Sequence, residues 1–380
     1  MGRQGICSKT QLGIAALALF ASTLPIGAQA GSAHGASPKR LVAYYLNQGQ
    51  IRTPAYTARQ IPFKKLTHLI HVALTVDPSG DGTVQIAPKA LEPTLIPRAH
   101  AAGVRVLACV QGEEASFRKA ASTAETRAKF VEGVKKFVLA NHYDGVDMDW
   151  EVPTGPTDVA NNNLLMQALR DALPAPQYLL SMATPSEPGH WGDYDFARLT
   201  PLVDFYNVMT YDFHGPWTNH TGHNSPLFST PNDPGHDGSI DETIDLYLNK
   251  LAVPPGKVNL GTAFYAYQFP AGELNAKCDC EKTVASHTYG EIKPRIDRDG
   301  WAKGFDPVAM APYLTHGGPD AGFITYDDAD STARKVIYAL EVRNLGGIFM
   351  WELSQDYDGK SQDLLDSMYK TFKRVQAHRE

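Results

Sequence analysis

Asp144-Gly145-Val146-Asp147-Met148-Asp149-Trp150-Glu151 is the stretch on which the reading of this chain turns. Asp147, Asp149 and Glu151 alternate with Val146, Met148 and Trp150. A β-strand sends successive side chains to opposite faces, so the three acids share one side and the three apolar residues the other. An exposed acidic edge strand would not carry Val, Met and Trp at alternate positions. The acids therefore face an enclosed space, where burying even one unpaired charge is costly. They cannot all be ionised comfortably, so at least one proton is shared and one pKa is pushed up. Glu151 comes last on the strand. A carboxyl that holds its proton there is suited to protonating a leaving oxygen. A divalent-metal site is the competing use of three acids, but such sites usually add His, Asn or water from other elements.

On either side of this stretch, short apolar runs alternate with longer amphipathic ones. Strands are predicted over Leu41–Leu46, His68–Leu74, Val104–Val110, Gly145–Glu151, Tyr178–Thr184, Val203–Tyr211, Lys257–Tyr265 and Gly346–Trp351. Their near-continuous apolar character suits strands buried on both faces. Helices are predicted over Arg127–Asn141, Asn162–Leu173, Glu242–Leu251, Thr332–Arg343 and Leu364–His378. Eight strand–helix units predict an α/β fold of the (β/α)8 TIM-barrel type, with its chemistry at the C-terminal ends of the strands. The connection after strand seven runs roughly 60 residues, too long for a structureless loop. A small α+β insertion between strand 7 and helix 7 is expected over residues 267–322, leaving 40–266 and 323–380 as the barrel.

Residues 1–30 read as a secretory signal: Arg3 and Lys9, an apolar stretch from Leu12 to Leu24, then Ala28-Gln29-Ala30 as a small-x-small cleavage site. Residues 31–39 read as a flexible leader. A secreted protein is expected, extracellular or periplasmic, with no membrane attachment once the signal is removed. The 380 residues carry a formal net charge of −6 and no dense Lys/Arg run, so no nucleic-acid partner is expected. Cys109 lies in an apolar strand and reads as a buried thiol. Cys278 and Cys280 suit a small-ring disulfide, free thiols or part of a metal site with His287. His214, His220 and His223 read as loop residues with hydrogen-bond duties, and no metal is assigned to them. Asn219-His220-Thr221 is a glycosylation sequon that counts only in a eukaryotic secretory host.

Asp144, Asp147, Asp149 and Glu151 fill the Asp-x-x-Asp-x-Asp-x-Glu pattern, which resembles the signature of glycoside hydrolase family 18. Met209-Thr210-Tyr211-Asp212-Phe213-His214-Gly215, with Trp217 and Thr221-Gly222-His223-Asn224-Ser225-Pro226-Leu227, is similar to strand six of that family's chitinase branch. Gly346–Asp356 resembles its strand eight. Tyr44-Tyr45 and Gly261–Tyr265 are weaker echoes, and the insertion after strand seven suits the same branch. The chain departs from the family at strand three, where Ser-x-Gly-Gly is replaced by Cys109-Val110-Gln111-Gly112. The family's Ser usually supports the inner aspartates, so this departure bears on their proton arrangement.

The resemblance implies a monomeric, cofactor-free and metal-free hydrolase of chitin and chitooligosaccharides, working by a retaining, substrate-assisted mechanism. Glu151 would be the acid/base. Asp149 would orient the sugar's acetamido group, Asp147 would share a proton with Asp149, and Tyr211 would bond the acetamido oxygen. The implied substrate contacts are Tyr44, Met209, Asp212, Trp351, Trp217 and Trp150. Trp191, Trp217 and Trp301 are placed either to stack on sugars or to pack the rim. Two other functions compete: an endo-β-N-acetylglucosaminidase of N-glycans, and a chitin-binding lectin. The insertion weighs against the first and an intact Glu151 against the second.

Overall fold

The computed structural model describes residues 38–318 and 321–378. The expected signal over 1–30 and the expected leader up to residue 37 fall outside them. Among the described residues, eight parallel strands close into a barrel: β1 Arg40–Leu46, β2 His68–Val76, β3 Arg105–Gln111, β4 Gly145–Met148, β5 Leu179–Pro185, β6 Phe205–Met209, β7 Val258–Ala263 and β8 Gly347–Trp351. Each pairs with the next, and β8 pairs with β1 to complete the ring. Val84–Ile86 adds a short antiparallel strand to β2.

Alternation divides the barrel into two apolar regions. Val42, Tyr44, Ile70, Leu107, Cys109, Phe205 and Phe349 fill the interior. The opposite faces, with Val146, Met148 and Trp150 among them, join the larger core beneath the helices. Helix Ala124–Ala140 begins at a capping box on Thr123 and buries Phe130, Val134, Phe137 and Val138. Helix Gly155–Ala172 starts with Pro156 in its first turn, where a missing N–H is harmless. Asp328 caps helix Ala329–Ile337, accepting from the N–H groups of Asp330 and Ser331.

The fourth strand is shorter than its sequence pattern. Ladder pairing stops at Met148, although the Asp149 N–H still donates to the Val110 carbonyl at 3.1 Å. β3 ends at Gln111, so the chain beyond Asp149 has lost its partner on that side. The alternation persists to Glu151 and carries it to the barrel mouth.

Between β7 and helix Ala329–Ile337 stands a five-stranded antiparallel sheet, in the order Ala285–Thr288, Tyr265–Phe269, Gly322–Thr325, Ala311–His316, Trp301–Asp306. Its outermost residues are Tyr265 and Thr325, a little wider than the 267–322 read from sequence. One residue, the buried Phe264, separates it from β7. Phe269, Phe323 and Tyr313 pack its face, the last two rings lying 27° apart in plane. Cys278 and Cys280 are joined by a disulfide in the same segment. His287 turns instead to the side chain of Gln268, at 3.0 Å.

Candidate active site

Asp147 sits at the bottom of the site, fully buried. Its register partners are Cys109 on β3 and Ser181 on β5. Both point inward by the same alternation. Ser181 Oγ donates to one carboxylate oxygen and Tyr44 Oη to the other, the latter at 2.9 Å. Asn207 Nδ2 adds a longer contact of 3.3 Å. Asn207 is held in turn by Asn259 at 2.9 Å, and Asn259 by Arg40 at 3.0 Å, so an amide chain runs down the barrel axis. Burial raises the Asp147 carboxyl to about 6, against the opposing pull of Ser181, Tyr44 and the Cys109 thiol. Burial beside Asp147 keeps that thiol neutral.

Asp149, one step up, is also buried. Gln111 Nε2 donates to its Oδ2 at 2.7 Å, while Oδ1 has no hydrogen-bond partner. Burial raises Asp149, and Gln111 and Glu151 oppose the rise. Glu151 is exposed at the cleft surface. The charge of Asp149 holds its carboxyl well above the ordinary range, with burial adding to the effect and Asp212 contributing less. The ladder therefore runs from a hydrogen-bonded base to an acid that keeps its proton at the solvent interface.

Two cavities meet over that acid. One, of about 310 Å³, is lined by Glu151, Val152, Pro185, Ser186, Trp191, Met209, Tyr211, Asp212 and Trp217. The other, of about 300 Å³, adds Tyr265, Tyr267, Ser286, Trp351 and Gln355 to the shared Glu151, Met209, Tyr211 and Asp212. Trp191 and Trp217 are about half exposed, and both line the first cavity. Asp212 lies past the end of β6 with φ +62°, a left-handed turn that Asp tolerates better than most residues. The turn reverses its parity and brings it onto the same wall as Met209 and Tyr211. Asn224 Oδ1 accepts from its N–H at 2.9 Å, and the Tyr265 and Tyr267 hydroxyls donate to its carboxylate.

Glu151, Met209, Tyr211, Asp212, Trp217 and Trp351 thus converge on one cleft. Two of the expected contacts lie elsewhere. Trp150 packs flat on Phe117, with centroids 5.5 Å and planes 6° apart, under the outer helices. Its odd place in the alternation requires this. Tyr44 is 1% exposed and serves Asp147 from within the barrel, below the cleft floor. Trp301 belongs to the insertion sheet and packs on His316. Sequence reading missed Ser181, Asn207 and Asn259. Each stands on the inward parity of its strand, but which of them meets Asp147 depends on register.

The comparisons with known proteins agree with this geometry. Residues 40–356 match glycosyl hydrolases family 18. Endochitinase 1 of Metarhizium robertsii is 32% identical over 64% of this chain and 59% of its own length. Chitinase 1 of Aphanocladium album is 27% identical over 94% of this chain and 91% of its own. Among solved structures, a mutant of catalytic domain 2 of the Ostrinia furnacalis Group II chitinase, in complex with penta-N-acetylchitooctaose, superposes with a TM-score of 0.80. It is 25% identical and covers 88% of this chain and 97% of that domain. The chain spans 40–59% of the length of three curated relatives that it matches. With its closed barrel and inward acidic ladder, the chain belongs to glycosyl hydrolases family 18.

Proposed function

We propose that this protein hydrolyses chitin and chitooligosaccharides by a retaining, substrate-assisted mechanism with Glu151 as acid/base. The observation that carries the reading is the position of Glu151: proton-holding, beside Asp149, where the two cavities join. A polymer threading both cavities would present its glycosidic oxygen to Glu151. The acetamido oxygen of the sugar on one side attacks the anomeric carbon as Glu151 protonates the leaving oxygen. The oxazolinium ion formed is then opened by water, whose proton returns to Glu151. The free Asp149 Oδ1 is the acceptor for the acetamido N–H, and its negative charge stabilises the cation. Burial keeps Tyr211 a neutral phenol, able to donate to the acetamido oxygen. Met209 and Trp351 form the floor, and contacts in both cavities supply the energy that distorts the sugar.

The test uses chitin oligomers of defined length. Product masses report where the chain is cut, and early NMR spectra report the anomer released. The β-anomer from N-acetylated substrate is expected. Initial α-anomer, or efficient cleavage of fully deacetylated chitosan, would overturn substrate assistance. We also read residues 1–30 as a removed secretory signal, which N-terminal sequencing of the exported chain would check by finding Gly31 first. No helix among the described residues is long and apolar enough to cross a membrane.

A further inference from the structure

The loop that follows β6 carries His214 and His220, and the turn ahead of helix Ile240–Asp245 carries Asp233 and Asp237. Folding gathers these four side chains. One ligand-type atom from each lies within 4.8 Å of all the others. His214 Nε2 is 3.2 Å from Asp233 Oδ1 and 3.3 Å from Asp237 Oδ2. His220 Nε2 is 3.8 Å and 3.2 Å from the same two oxygens. His214, His220 and Asp233 are buried.

The far side of each ring settles what faces the cluster. His214 Nδ1 is 3.0 Å from the His223 carbonyl, and His220 Nδ1 is 3.2 Å from the Thr221 carbonyl. A carbonyl only accepts, so each Nδ1 carries a proton and Nε2 is the nitrogen that faces the carboxylates; His214 Nε2 lies within hydrogen-bond reach of Asp233 Oδ1, and it turns a lone pair inward once a cation takes the place of the proton between them. This backbone bracing of Nδ1 is how metal-binding imidazoles are usually oriented. Asp237 Oδ2, which both rings approach, is buried and makes no hydrogen bond. The local sequence leaves room for this arrangement. A Cβ at Gly222 would lie 1.9 Å from the His214 ring, and one at Gly235 would lie 2.1 Å from Asp237 Oδ2.

We propose that His214, His220, Asp233 and Asp237 are the ligands of a structural zinc-class divalent cation. A tetrahedral ion with ligands at about 2.0–2.2 Å holds neighbouring ligand atoms about 3.3–3.6 Å apart. Three of the four N···O separations fall at or just below that edge, and the fourth is slightly open. Two neutral imidazoles with two carboxylates carry a net charge of −2, which such an ion cancels. Nitrogen and oxygen donors in a four-coordinate cage favour zinc over magnesium or calcium, which take more oxygen ligands. The ion would bind the loop bearing Trp217, and the Asp212 turn next to it, to the wall of the barrel. His223 takes no part, since its Nε2 faces Asp306 at 3.2 Å.

The competing arrangement is two imidazolium ions paired with the two carboxylates, which needs no metal. Metal analysis separates them. The intact protein is stripped with chelator, dialysed against metal-free buffer, reloaded with zinc and assayed by plasma mass spectrometry and thermal melting. About one zinc per chain, bound with sub-micromolar affinity, and a melting rise on the order of 5 °C are expected. His220→Gln and Asp237→Asn should each abolish stoichiometric binding and the zinc-dependent rise. Substoichiometric or weaker binding by the reloaded wild-type protein overturns the proposal. So does undiminished binding by both variants. The wild-type measurement decides alone if either variant fails to fold.

Discussion

Two groups of acids in this barrel are held in opposite ways. Asp327, at the start of the seventh crossover helix, is matched by a buried cation: Lys335 Nζ lies 2.6 Å from its Oδ2, and Ser331 Oγ donates to Oδ1 at 2.7 Å. Lys335 also donates to Ser225 at 2.7 Å. Charge and hydrogen bonds close on themselves, and nothing is left for a ligand. Asp147, Asp149 and Glu151 are held by hydroxyls, two amides, a thiol and one another. One carboxylate oxygen stays unpartnered and one acid keeps its proton. The first arrangement joins a helix to the barrel. The second leaves charge uncompensated where a substrate can meet it.

The largest effect that would test this contrast is on activity. Glu151→Gln is expected to lower turnover by at least ~10²–10⁴-fold while oligomer binding and melting temperature hold or rise. The amide cannot donate the proton to the leaving group, and like the protonated acid it places no charge beside Asp149. Near-wild-type turnover would take Glu151 out of the mechanism. The matched pair should behave the other way. Lys335→Met is expected to cost ~3–5 kcal/mol of stability, because it leaves Asp327 buried without its cation, while turnover of the folded fraction survives. Urea titration with parallel kinetics checks it, and a loss below ~1 kcal/mol would mean that the pair contributes little.

Smaller effects probe the hydrogen bonds within the ladder. The proposed mechanism needs Asp149 ionised beside a protonated Glu151. Gln111 stabilises the ionised Asp149, so Gln111→Leu should raise its pKa and move the acid limb of the pH–rate profile upward by ~1 unit. An unmoved limb would mean that water replaces the amide. Cys109→Ser offers Asp147 a stronger donor than the thiol and should move the same limb downward. Because Ser181, Tyr44 and Asn207 already donate to Asp147, the shift should stay below ~0.5 unit. A larger one would show that the family's strand-three serine is not replaced here by Ser181.

Much of the barrel was legible along the chain. The period-two alternation of Asp147, Asp149 and Glu151 does not depend on where the strand ends, so it placed the acids on one face even though pairing stops at Met148. The same alternation turned Trp150 outward, which its inclusion among the substrate contacts overlooked. Gln111 was visible only as a departure from a motif, and its role appears when β3 and β4 are laid side by side.

What the amino-acid order determined by itself is local: which residues share a face, where apolar runs become strands, and that three acids share the inward parity of one strand. Tertiary structure alone decided which residues meet. Ser181 reaches Asp147 across a strand pair, Asn207 and Asn259 through the barrel interior, and Asp233 and Asp237 reach His214 and His220 from beyond a loop. Periodicity carries no information about register between strands or about the path of a loop. Both follow from closing the ring and packing its connections, and the proton arrangement of the site follows from them.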